Sequence, residues 1–343
     1  MQQQRDMWTA RPVQGNMQRP AMESDSNSRI MDEHNMDESQ VDDSMPDGAM
    51  RQDDMTRPPF EILAPAEQRA PIVFNSPHSG RYYPETFLQR SRLDPLAIRR
   101  SEDMMVDELF RPVVGLGAPL LRAVYPRAYL DVNREPFELD PKMFSGRLPP
   151  FANSQSLRVA GGLGTIPKVV CEAASIYAAP WPVDDALRRI DAIYRPYHDA
   201  LRRLLAQTHV AFGSAILIDC HSMPSTLRTG EGRPRPDFVL GDRFGTSCMP
   251  ALVERAAASL RALGFTVCRN KPYAGGFITE HYGRPRRALH ALQIEVNRAL
   301  YMNEEKLELH AGFEKLRENL AALAEAMIDL AAEFASDRRE AAE

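Results

Sequence analysis

The sequence predicts an α/β fold: a mixed, largely parallel central sheet flanked by helices. Three observations carry this. Short apolar runs of strand type alternate with long amphipathic stretches. Few tight-hairpin signals separate them, and no internal repeat stands out. Two of the runs, residues 71–75 and 215–219, lead into polar turns with a histidine, Ser76-Pro-His-Ser-Gly80 and His221-Ser-Met-Pro224. Ligands gather at the carboxyl ends of strands in such sheets.

Composition narrows the class. The chain has 343 residues and a net charge of −5, so no overall basic field invites nucleic acid. No apolar run is long enough to span a bilayer, and the N-terminus lacks a signal-peptide h-region. Four cysteines, Cys171, Cys220, Cys248 and Cys268, are scattered with no CxxC pair, which predicts buried reduced thiols and a cytoplasmic protein.

Residues 1–58 predict a disordered acidic, Met-rich extension, with 59–340 as a single α/β domain. Nine acids against one base lie between Asp32 and Asp54, and nine of the 16 methionines precede residue 56. A segment so poor in apolar periodicity buries too little surface to offset its ordering entropy.

The elements follow in order. Order begins near Phe60, and 71–75 is a buried strand. Residues 93–110 read as one helix carrying Glu102, Asp103, Asp107 and Glu108. Residues 120–125 and 128–132 read as strands around Pro126, the second running into Asp131-Val-Asn133-Arg134. Residues 135–170 are loop-rich, and Gly161-Gly-Leu-Gly164 inside them lacks the dinucleotide spacing. Residues 183–207 form an amphipathic helix that Pro196 should kink, with His198 a structural residue. Strands at 215–219, 236–241, 265–268 and 291–296 follow. A helix to residue 263 is capped by Ser247, and a flexible loop opens at Gly275-Gly276. The last helix is capped by Asn303, and its stripe from Phe313 to Phe334 is packing or a dimer face, leaving monomer and homodimer both open.

Strand alternation puts Asp219 and His221 on one face and Cys220 on the other. It likewise puts Gln293, Glu295 and Asn297 together. His78, the Glu102/Asp103 pair, Asn133-Arg134, His221 and Glu295 all sit at strand ends or in adjoining loops. Two histidines and a carboxylate suit catalytic zinc with a position open to water. Glu295 suits the general base, and Arg134 a bidentate partner for a substrate carboxylate.

Together with Ser101-Glu-Asp103, Asp237-Phe-Val-Leu-Gly-Asp242, Gly275-Gly-Phe-Ile-Thr-Glu-His-Tyr-Gly283 and Gln293-Ile-Glu-Val-Asn297, these motifs resemble the N-formylglutamate amidohydrolase family over residues 60–310. The resemblance implies the fold of zinc carboxypeptidases and aspartoacylase. It also implies hydrolysis of N-formyl-L-glutamate to formate and glutamate in histidine degradation. The superfamily's H-x-x-E motif is broken here, because Arg81 follows His78 at the glutamate position. The implied site is one Zn²⁺ per chain on His78, Asp103 and His221, with Glu102 and then Asp219 as alternatives to Asp103. Glu295 is the implied base, Asn133 and Arg134 grip a carboxylate, and His281 or Arg284 takes the second carboxylate or the oxyanion. Glu280 would repel a substrate carboxylate if it faced the site.

The rival readings are a deacylase for another N-acyl amino acid and a non-catalytic metal-binding protein. A serine hydrolase is disfavoured because no G-x-S-x-G elbow is present.

Overall fold

The computed structural model describes residues 55–170, 174–225 and 236–340, with side chains as far as 336. These residues belong to one compact unit, Pro46–Glu343. The reading of the N-terminal extension falls outside the described residues up to 54, as does Cys171.

The first half holds β1 (Phe60–Leu63), β2 (Ile72–Ser76), α1 (Glu85–Gln89), α2 (Val106–Phe110), β3 (Leu120–Ala123), β4 (Phe144–Ser145), α3 (Leu157–Ala160), β5 (Trp181–Pro182), α4 (Val183–Arg189) and α5 (Arg195–Phe212). The second half holds β6 (Ala215–Met223), β7 (Phe238–Gly241), α6 (Pro250–Ala262), β8 (Val267–Arg269), α7 (Phe277–Tyr282), β9 (Leu289–Asn297), β10 (Met302–Asn303), β11 (Glu308–Leu309) and α8 (Gly312–Glu340).

Seven strands form the main sheet in the order β1-β3-β2-β6-β9-β7-β8. The pairs β3/β2, β2/β6, β6/β9 and β7/β8 are parallel, and only β1/β3 and β9/β7 are antiparallel. The mixed, largely parallel sheet expected from the alternation is therefore present. Its central strands are buried on both faces, which is why β2 and β6 read as apolar runs.

Alternation assigns the faces. Ile216, Ile218, Cys220, Leu292, Ile294 and Val296 join the core beneath α2, α6 and α8. Ala215, Leu217 and Ala291 join the core beneath α4 and α5. The stripe of α8 from Phe313 to Leu330 is buried in the first of these cores, against α2 and α6. This part of the stripe is therefore packed against its own chain.

Several local expectations are corrected. Residues 93–110 do not form one helix: the chain leaves helical geometry at Glu102 and reverses at Met105, whose φ is 59°. Residues 128–132 form no strand, because the Tyr129 and Leu130 N–H groups both donate to Pro126 O in a helix-like turn. A π-turn, Ile190–Tyr194, stands just before Pro196, and the helix then runs on to the left-handed Gly213. Ser247 donates to Ala291 O, leaving Met249 to precede Pro250 at the start of α6. Asn303 caps a turn through Glu305 and Lys306, nine residues before α8 begins at Gly312. The loop after Gly276 winds into α7. Cys268 is exposed, whereas Cys220 and Cys248 are buried thiols.

Candidate active site

β6 and β9 lie side by side in parallel register, with His221 opposite Glu295 and Asp219 opposite Gln293. β6 extends to Met223, so Asp219 and His221 share a face and Cys220 points into the opposite core. β2, the other neighbour of β6, ends at Ser76 and delivers His78 just beyond the sheet.

Asp103 arrives from the break before α2. Its N–H donates to His78 O at 3.0 Å, which ties the two loops together. His78, Asp103 and His221 are all buried, and one ligand atom from each lies within 4.8 Å of the others. Asp103 Oδ2 is 2.8 Å from His221 Nδ1 and 3.4 Å from His78 Nδ1.

The far side of each imidazole is held by a carboxylate. His78 Nε2 is 2.7 Å from Asp131 Oδ1, and His221 Nε2 is 3.1 Å from Asp219 Oδ2. Such partners fix the tautomer that turns the other ring nitrogen toward a metal. His78 Nδ1 is buried and has no hydrogen-bond partner. A lone-pair nitrogen facing a carboxylate oxygen in a water-poor site is the arrangement a divalent cation completes, and the donor set fits one.

Burial alone would raise the Asp103 carboxyl, but the hydrogen bond from His221 and the nearby His78 imidazole hold it well below the usual range. Burial also opposes charge on His221, yet Asp219 and Asp103 raise its imidazole well above the ordinary value. Asp103 Oδ1 accepts from Ser222 Oγ and Arg298 Nη2, both at 3.2 Å. Arg298 also donates to Glu102 O, Arg100 O and Ser222 Oγ, so it clamps the loop that carries Asp103.

The alternatives to Asp103 fall elsewhere. The Glu102 side chain accepts from Tyr83 and Arg99 on the other side of that loop. Asp219 lies behind His221 and also accepts from Asn75 at 2.8 Å.

Glu295 is buried, and burial pushes its carboxyl up to about 7, with His221 pulling it down. Gln293 holds it: Nε2 donates to Glu295 Oε1 at 2.8 Å while Oε1 accepts from Gly276 N at 2.7 Å. Asn133 organises rather than waits. Its Oδ1 accepts from Ile278 N at 2.7 Å, and a Cβ on Gly276 would fall 2.5 Å from its Nδ2. Only glycine fits there.

Arg134 donates to Leu163 O and Asn133 O, and its Nη2 lies 3.5 Å from Asp131 Oδ2. Arg127 Nη2 donates to Asp131 Oδ2 at 2.9 Å.

Two adjoining cavities meet at this cluster, sharing Arg127, His221, Tyr273 and Glu295 as lining. His281 and Arg284 line neither. His281 stacks on Phe277 along the exposed side of α7, and Arg284 bridges Leu289 at the opposite end of β9. Glu280 also faces outward, paired with Arg243 at 2.6 Å. Sequence reasoning gave no role to Asp131, Arg127, Arg298 or Gln293. Asp131 and Gln293 stood inside quoted motifs, and Arg298 follows one directly.

Comparison with known proteins adds an independent line. Residues 70–302 match the model of the N-formylglutamate amidohydrolase family. The chain is 30% identical over 251 residues to the N-formylglutamate deformylase of Pseudomonas aeruginosa, covering 71% of this chain and 87% of that protein. It is 29% identical over 248 residues to the Pseudomonas putida deformylase, covering 71% and 86%. It is also similar to the crystal structure of an N-formylglutamate amidohydrolase from Ralstonia eutropha JMP134. That match has a TM-score of 0.75 and 36% identity, and covers 80% of this chain and 99% of that one.

Proposed function

The chain belongs to the N-formylglutamate amidohydrolase family, and from that premise we propose that it hydrolyses N-formyl-L-glutamate to formate and L-glutamate. The observation that carries this reading is the buried His78–Asp103–His221 group beside a buried Glu295 held by Gln293.

His78, Asp103 and His221 would hold one divalent ion, and the His–carboxylate–His donor set favours zinc. Such an ion supplies Lewis acidity toward the formyl oxygen and toward water.

The chain's residues do the rest. Glu295, with its carboxyl near 7, is ionised or protonated with little bias at neutral pH, as a shuttling base requires. It takes a proton from the attacking water as the water oxygen bonds to the formyl carbon. The C–N bond breaks, and the same proton passes from Glu295 to the departing glutamate nitrogen. Formic acid loses its own proton to solvent. Gln293 keeps the Glu295 carboxylate aimed along the path.

Arg134 binds a substrate carboxylate, and Asn133 anchors the turn that presents it by accepting from Ile278 N. Arg127, placed beside Glu295 and His221, replaces His281 and Arg284 as the cation for the developing oxyanion. Asp131 and Asp219 hold the imidazoles in their working tautomer. The compartment is the cytoplasm, and the reaction is the last step of a histidine-degradation route. No helix among the described residues is long and apolar enough to cross a membrane.

The test is formate release from N-formyl-L-glutamate, with and without chelator and after restoring zinc. Chelator-sensitive release, recovered with zinc, supports the reading. Metal-replete folded protein that releases no formate overturns the substrate.

A further inference from the structure

The ligand trio divides its cavities unevenly. His78 stands in the wall of a cavity of about 260 Å³, with Asn133, Arg134, Gly276 and Gln293. Asp103 stands in the wall of its neighbour, of about 360 Å³, with Ala128, Leu163, Pro167, Val169 and Val170. His221 and Glu295 line both, so a bond broken at that junction sends one half of the substrate each way.

We infer that the larger cavity is an acyl pocket, and that this enzyme also deacylates L-glutamates bearing short linear aliphatic acyl groups, acetyl through hexanoyl. The inference rests on the amidohydrolase reading above and extends its substrate class.

The chemistry of the two halves fixes their places. The amine half carries two carboxylates and calls for cations, which Arg134 in the smaller cavity and Arg127 at the junction supply. Beyond the junction the larger cavity offers, among the described residues, only one uncommitted polar group, the buried Ser101 hydroxyl, and the Asp131 carboxylate in its wall would repel a second carboxylate. Its remaining cation, Arg298, is buried and committed to Ser222, Arg100 O, Glu102 O and Asp103. Ala128, Leu163, Pro167, Val169 and Val170 give the cavity an aliphatic stretch of wall beside its polar lining.

A formyl group brings one hydrogen beyond its carbonyl and leaves that space unused. A linear alkyl chain would line up against Leu163, Pro167, Val169 and Val170 and gain from leaving water. Branching at the carbon next to the carbonyl would instead crowd the junction, where Tyr273 and Arg127 close in from both cavities.

The experiment measures glutamate release from N-formyl-, N-acetyl-, N-butyryl- and N-hexanoyl-L-glutamate by zinc-loaded full-length protein. Each added methylene should lower KM about three- to fourfold until the cavity fills, the change that burying a methylene carries. Leu163→Trp and, separately, Val169→Phe narrow the pocket from an exposed and a half-buried position. Each should reduce the ratio of butyryl to formyl kcat/KM at least tenfold. Two variants on different parts of the wall guard against one that fails to fold.

Turnover of formyl substrate with none of the longer acyl groups overturns this inference and leaves the parent activity standing. Turnover of butyryl substrate with an unchanged ratio in both folded variants overturns the placement of the pocket. Failure on every member of the series overturns the parent reading, and this inference with it.

Discussion

His198 and His221 are both 3% exposed, on neighbouring layers of the same fold, yet they are built for opposite ends. His198 on α5 is satisfied without charge: its ring nitrogens meet Val132 O and the Tyr282 hydroxyl, each at 2.8 Å. Burial pushes it down to about 3, so it stays neutral. His221 on β6 lies between Asp219 and Asp103, and these two carboxylates overcome the same burial and raise it well above the ordinary value. Burial is common to both and pushes both imidazoles toward the neutral form. The partners decide: a carbonyl and a phenol make a structural pin, while two carboxylates make a site that wants a cation.

Four outcomes sharpen or break that contrast. The largest concerns the group that the carboxylate-rich region serves. Glu295→Gln should lower kcat about 10²- to 10⁴-fold with metal content unchanged, the range for losing a general base. Near-normal turnover in that variant breaks the base assignment.

Next come the carboxylates behind the imidazoles. Asp131→Asn and Asp219→Asn should each weaken metal affinity about 10- to 100-fold, read by chelator competition. Wild-type affinity in both would mean that the backing carboxylates only pack.

The inert histidine predicts a stability effect instead. With its folded value near 3 against an ordinary 6.5, His198 contributes stability that is complete above pH 6.5 and declines as pH falls toward 3. Below pH 6.5 the loss approaches about 1.4 kcal/mol per pH unit. His198→Gln should flatten that part of the pH–stability curve, measured by denaturant titration at pH 7, 6 and 5. It should cost about 1–3 kcal/mol at pH 7 through its altered hydrogen bonds. The smallest effect is on its activity, where kcat should stay within about threefold. A flat wild-type curve, or a large loss of kcat, would contradict the structural role.

Much of this was legible in the sequence, for a physical reason. Strand alternation is local, so the shared face of Asp219 and His221 and that of Gln293 and Glu295 follow from period two alone. The histidine at the end of β2 and the alternation of strands with helices are equally local. What the residues alone could not fix was which distant group meets which, and for Asp103 only the family resemblance pointed to the two histidines. Asp103 reaches His221 across 118 positions of sequence, and Arg298 reaches back to Glu102 and Asp103.

The helix expected over residues 93–110 hid the break that turns Asp103 toward His78, because its sequence pattern is helical and only tertiary contacts overrule it. That His281 and Arg284 lie away from the two cavities has a related cause. Glycines at 275 and 276 signal a loop, but the chain coils into α7 immediately after them and turns His281 outward.

The most direct test of the central claim is metal content per folded chain in the wild type, His78→Ala, His221→Ala and Glu295→Gln, measured by elemental analysis of protein loaded with zinc and then desalted. The account predicts about one ion in the wild type and in Glu295→Gln, and essentially none in either histidine variant. Full metal content after removal of His78 or His221, in protein that remains folded, would contradict it.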